Sequence, residues 1–132
     1  TSTAGIAHAA ISAHILGKPM GYVRGRSKSH GRNNRIEGKL EKGDKVVVVE
    51  DLISTGGSSI EVVEALREAG AEVLAVISIF TYETAKADKN FQDANVEKSS
   101  LCTISELIDT AVAENYVTSE EGKGIIEWLR EI

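Results

Sequence analysis

The sequence predicts an α/β domain in which a mostly parallel sheet is flanked by helices. Two observations carry that reading. "KVVVVE", Lys45 to Glu50, is a continuous run of β-branched residues, the pattern of a central parallel strand buried on both faces. A helix-period segment, Ser58 to Ala69, then separates it from a second apolar strand, "EVLAVISIF". Strand, helix and strand with short connections make a βαβ unit, which crosses over right-handed.

The remaining elements follow in order. Ala4 to Leu16 reads as a helix with Ile6, Ala10, Ala13 and Ile15 inward, stopped by Gly17. "PMGYV" is a short strand, and "RIEGKL" is another, joined to the valine run through the turn "EKGD". The helix from Ser58 has its apolar stripe at Ile60, Val62, Val63 and Leu66 and ends at Gly70. After "EVLAVISIF" comes an irregular stretch. "TISELIDTAVAEN" and "TSEEGKGIIEWLREI" are two surface helices, opened by the capping boxes Thr103–Glu106 and Thr118–Glu121. Trp128 is expected to anchor the last helix by packing. The first residues read as a loop feeding a helix with no strand before it, so the chain is expected to begin part-way into a single domain spanning residues 1–132.

Bulk properties exclude several classes. The 132 residues suit one core, and 42% hydrophobic with 27% charged residues is too apolar for a disordered chain. No apolar run reaches the roughly 18 residues of a membrane span. A net charge of −5 argues against general nucleic-acid binding. No signal-peptide pattern opens the chain and the single cysteine, Cys102, can form no internal disulfide, so a cytoplasmic location is expected. Cys102 reads as a buried structural thiol. His8 and His14 lie six apart on a helix and share no face, so no metal site is expected from them.

Chemistry concentrates after the valine run. Ligands of open α/β sheets bind beyond the carboxyl ends of the strands, where Glu50 and Asp51 stand. At a strand end both carboxylates can face a ligand, and paired acceptors suit the neighbouring hydroxyls of a ribose. "STGGSS", Ser54 to Ser59, then opens a helix. Its unpartnered amides, two glycines and hydroxyl groups make a cradle for a phosphate monoester. The same residues have a plainer use, since Ser58 with Glu61 is itself a capping box and glycines serve any turn. Neither the G-x-x-x-x-G-K-[ST] loop nor a G-x-G-x-x-G fingerprint is present. Between Arg24 and Gly38, Arg24, Arg26, Lys28, Arg32, Arg35 and His30 face a single acid, Glu37. That is a basic loop suited to a local anion.

Strand, acid pair and small-residue loop together resemble the phosphoribosyl pyrophosphate signature of the type I phosphoribosyltransferases, a Rossmann-like fold. Within that family, "YVRGRSKSHGRNNRIEG" (residues 22–38) is similar to the mobile catalytic loop of the orotate phosphoribosyltransferases. "TSTAGIAHAA" resembles their pyrophosphate loop and its helix, and "VISIFTYE" the strand after the phosphate helix. The resemblance implies a transfer from phosphoribosyl pyrophosphate to orotate, giving orotidine 5-monophosphate and pyrophosphate, with Mg²⁺ held mainly by the substrate. It implies that Glu50 and Asp51 hold the ribose hydroxyls. Ser54, Thr55, Gly56, Gly57 and Ser58 would wrap the 5-phosphate, with Ser54 also near the base, and Leu52 and Ile53 belong to the implied substrate-binding set. Thr1, Ser2, Thr3 and Ala4 would touch the pyrophosphate. Arg24, Lys28 and His30 would reach it from the loop, in a homodimer whose lid crosses between subunits. Lys28, His30 and Asp51 are the implied catalytic residues.

The chain departs from the family at Gly25, where many members carry a second basic residue, and at Ala4 and Thr81, where some carry lysine and arginine. The segment that precedes the pyrophosphate loop in the family is expected to be absent. Transfer to a purine base, and a non-catalytic sensor of the sugar phosphate, are the alternatives.

Overall fold

A computed structural model describes residues 1–25 and 35–132. The first helix, α1 (Ala4–Leu16), stops at Gly17 in the left-handed conformation, whose N–H bonds the carbonyls of Ala13 and His14. Only glycine adopts that φ without cost, so the predicted stop is a steric one. The inward face differs from expectation. Gly5 is buried and Ile6, Ala9 and Ala13 are half-buried, whereas Ala10 and Ile15 face outward. Residues 5, 9 and 13 are small and four apart, so the helix lies close on its strand along a narrow stripe.

Two short strands, β1 (Tyr22–Val23) and β2 (Ile36–Glu37), pair antiparallel as a separate ribbon. The valine run forms β3 (Lys45–Ile53), and α2 (Gly57–Glu68) returns over the sheet to β4 (Glu72–Thr81). β3 and β4 are parallel, as the βαβ pattern requires, with Glu50 opposite Ser78. Val48, Val62, Val63 and Val76 form the core between sheet and helix.

The stretch read as irregular contains two elements: α3 (Ala85–Asp93) and β5 (Glu97–Thr103), the latter parallel to β4. α3 buries only Ala87 and Phe91, one turn apart, and β5 reads "EKSSLCT". Neither carries enough apolar residues to show a period in the sequence. Among the described residues the sheet order is β3-β4-β5, with β3 first in the row rather than in the centre. Val47, Ile77, Ile79 and Leu101 lie exposed on the sheet. Among the described residues the valine run is therefore covered fully on one face only.

α4 (Ile104–Ala113) and α5 (Ser119–Arg130) both begin with the predicted capping boxes. Trp128, expected as the packing anchor of α5, is 62% exposed, and its neighbour Leu129 is the buried residue at 6%. One position is about 100° of helix rotation, enough to exchange core for solvent. Gly122 sets the phase, because a Cβ there would lie 2.7 Å from Ile108 of α4. Cys102 is half-buried rather than buried. Among the described residues no helix is long and apolar enough to cross a membrane.

Phe91 is 2% exposed and belongs to the central cluster. Phe91→Ala should cost about 3–5 kcal/mol in urea unfolding, while Trp128→Ala should change stability by only about 0.5 kcal/mol.

Candidate functional site

The carboxyl end of β3 runs into the loop Ser54–Gly56, and three groups fix that loop from behind. The Tyr82 N–H donates to the Ile53 carbonyl at 3.0 Å. The Thr84 hydroxyl donates to the Ser54 carbonyl at 2.7 Å, and the Asn90 amide to the Thr55 carbonyl at 2.9 Å. Three successive carbonyls are thus turned toward the body of the protein. Thr84 also caps α3, accepting from the Ala87 N–H at 3.1 Å.

Gly56 is the N-cap of α2 at φ +82°, with no side chain capping the helix. The expected Ser58–Glu61 capping box does not form, because the helix starts one residue earlier than the sequence suggests. The first-turn amides of α2 therefore carry the positive end of the helix dipole with no side-chain acceptor. A Cβ on Gly56 would overlap the Phe91 ring, whereas nothing lies within 4 Å of one on Gly57. Ser54 and Ser58 are exposed and Thr55 half-buried, so their hydroxyls are available at the rim. Ile53, counted among the substrate-binding residues by resemblance, sends its side chain into the core at 1% exposure and can offer a ligand only its backbone. Leu52 is 40% exposed.

The two acids differ in setting. Glu50 is 5% exposed, and its Oε2 accepts the Ser59 hydroxyl at 2.8 Å while its Oε1 accepts the Asp51 N–H at 3.1 Å. Asp51 is half-exposed. Successive strand residues alternate faces, so one carboxylate, Glu50, turns inward while Asp51 stays half-open. Hydrogen bonding with the Glu50 side chain holds the Asp51 carboxyl below its ordinary range. Partial burial opposes this, and the Leu52 and Asp51 backbone amides and the charge of His8 assist it. Asp51 is therefore an anion at neutral pH, ready to accept hydrogen bonds.

Thr1 to Ala4 lead into α1 beside this end of β3. The Thr1 nitrogen donates to the Val49 carbonyl at 2.7 Å, and the Thr1 hydroxyl reaches the same oxygen at 3.3 Å. A Cβ on Gly5 would lie 2.6 Å from that carbonyl. Glycine thus lets the residues assigned to pyrophosphate sit two positions from Asp51. Ser2, Thr3 and Ala4 are exposed, and the Ser2–Thr3 peptide is cis.

Arg24 follows β1, where its guanidinium pairs with Glu37 of β2 at 3.1 Å. Lys28 and His30, with Arg26 and Arg32, lie outside the described residues. Arg35 reaches Glu61 on α2 at 3.9 Å, which ties the ribbon to that helix. Among the described residues no group of three or more His, Cys, Asp or Glu side chains could hold a metal ion.

The sequence reading missed Thr84, Asn90 and Phe91, which hold the loop, and placed Ser59 at the phosphate rather than on Glu50. Thr84 followed by a helix-forming run was the available signal, a single-residue N-cap without the glutamate that completes a capping box.

Residues 2–115 match the family model of the phosphoribosyl transferase domain. The chain belongs to that family. It is 53% identical over 128 residues to the orotate phosphoribosyltransferase of Staphylococcus saprophyticus, covering 97% of this chain and 63% of that protein. The Listeria innocua orotate phosphoribosyltransferase is 53% identical over 130 residues, covering 98% of this chain and 62% of that one. Among solved structures, the orotate phosphoribosyltransferase from Aeropyrum pernix superposes with a TM-score of 0.75 at 33% identity, over 83% of this chain and 61% of that chain. The chain thus spans less than two thirds of these relatives. The fold is that of the type I phosphoribosyltransferases, an α/β architecture with a parallel sheet of three strands among the described residues.

Gly56 is required twice over, by its positive φ and by the Phe91 ring. Gly56→Ala should cost about 2 kcal/mol or more in thermal or urea unfolding, and Gly57→Ala should stay within about 0.5 kcal/mol.

Proposed function

We propose that this chain carries the phosphoribosyl-transfer core of an orotate phosphoribosyltransferase. It would move the phosphoribosyl group of phosphoribosyl pyrophosphate onto orotate and release pyrophosphate, in cytoplasmic pyrimidine nucleotide synthesis. One observation supports this best: the ionised Asp51, the outward amides of the Thr55–Ser58 turn and the Thr1–Ala4 segment converge at one strand end. They do so in a chain about half identical to proteins of that name.

The roles follow from the chemistry. The 5-phosphate sits on the α2 amides, which glycine leaves open to close approach. Asp51 and Glu50 accept from the ribose hydroxyls and fix the sugar's orientation. As pyrophosphate leaves, the sugar carbon becomes electron-poor and negative charge grows on the departing oxygens. Cations aimed at that charge in a water-poor site lower the barrier. Lys28, with His30 and Arg24, is assigned that task by the family resemblance, on a loop that closes over the site and reopens for product release. Mg²⁺ is the expected partner of the pyrophosphate, since this ion binds substrate phosphates while keeping several waters. The substrate would hold the ion in the main, and Asp51, a half-exposed carboxylate beside the ribose position, has a charge suited to lie near it. A homodimer sharing the lid between subunits completes the reading.

The full-length protein mixed with orotate, phosphoribosyl pyrophosphate and Mg²⁺ should consume orotate, followed by its absorbance. A flat trace from folded protein defeats the assignment, and adenine or guanine in place of orotate should give no product. Asp51→Asn should weaken phosphoribosyl pyrophosphate binding about tenfold by calorimetry, because a charged acceptor is lost.

A further inference from the structure

Ser59 has no place in the phosphate cradle. It is 1% exposed in the first turn of α2, and its hydroxyl donates to Glu50 Oε2 at 2.8 Å. Glu50 is an unusual residue for its position: it shares a strand with the core residue Val48, two places earlier, and is itself 5% exposed. Burying a carboxylate is costly unless hydrogen bonds compensate. A carboxylate offers about four lone-pair directions. The Asp51 N–H takes one on Oε1 and Ser59 takes one on Oε2, and the Asp51 carboxyl also engages this side chain, so at most two remain. Fixing these directions aims those that remain.

We propose that Ser59 is a positioning residue for pentose recognition, holding the Glu50 carboxylate so that its remaining lone pairs receive the ribose hydroxyls. The inference rests on the sugar-phosphate reading above and extends it. Ser59 lies on the helix whose first amides meet the phosphate, three residues after its N-cap Gly56. One short hydroxyl therefore links the group that binds the phosphate to the group that reads the sugar. The distance between phosphate and ribose contacts becomes a property of the helix rather than of two independent parts. A hydroxyl donating to a charged acceptor is also stronger than one between neutral groups.

The test uses the full-length protein and four probes: inorganic phosphate, ribose 5-phosphate and its 2-deoxy and 3-deoxy forms. Binding is measured by calorimetry in the wild type, Ser59→Ala, Glu50→Gln and the double variant. The expected result is that Ser59→Ala loses about tenfold in its preference for ribose 5-phosphate over at least one deoxy form. Affinity for inorganic phosphate should stay within about twofold, and Ser59→Ala should add nothing in the Glu50→Gln background, as residues acting through one another require. An unchanged preference overturns the proposal, even where Ser59→Ala lowers the melting temperature. So does an equal loss for phosphate, which would make Ser59 a phosphate ligand. If the wild type binds none of the sugar phosphates, the reading of the site itself fails, and that outcome is distinct from the other two.

Discussion

Three carbonyls turned inward govern this site. A loop of serine, threonine and glycine has many conformations available, and fixing each residue costs about 1–2 kcal/mol of backbone entropy. Here the Tyr82 N–H, the Thr84 hydroxyl and the Asn90 amide hold the oxygens of Ile53, Ser54 and Thr55. All three come from the segment just after β4, which the sheet register places beside the end of β3. The parallel pairing of β3 with β4 therefore extends beyond its last pair, Ile53 with Thr81, to orient peptides in the loop that follows. Backbone groups demand partners in any case, and the fold meets that demand from one side only.

The acid pair shows the same economy. Alternation along β3 sends Glu50 toward the helix side and leaves Asp51 half-open, so identical chemistry receives two environments. Glu50 is fixed by partners, while Asp51 is kept ionised and available. α1 can approach this end because residue 5 has no side chain to strike the Val49 carbonyl. Sheet, α2 and α1 thus each bring one part of the site to the same strand terminus, and no element does so alone.

Much of this was legible in the sequence wherever a strong local rule applied. The βαβ unit, the bounds of α1, its Gly17 stop and the capping boxes of α4 and α5 follow from period, φ and cap chemistry. Glu50, Asp51 and the small-residue loop were visible because an acid pair and a glycine-bearing turn stand together where open α/β sheets bind ligands. What stayed hidden depends on tertiary contact. α3 buries two residues and β5 is mostly polar, so neither had a period to read. The place of β3 in the sheet order of the described residues, and the outward turn of Trp128 one place from Leu129, are likewise decided by neighbours distant in sequence. Ser59 looked like its serine neighbours until the start of the helix was known.

The Phe91 ring pressed against Gly56 has a bearing on how variants of this protein are interpreted. α3 supports, through Asn90 and Phe91, the loop assigned to the ligand. Changes along α3 at Asn90 or Phe91 would surface in a genetic screen among the loss-of-binding alleles, indistinguishable by phenotype from removal of a true contact. Sorting the two kinds requires knowing which face of the loop each residue touches, and sequence position alone would assign them wrongly.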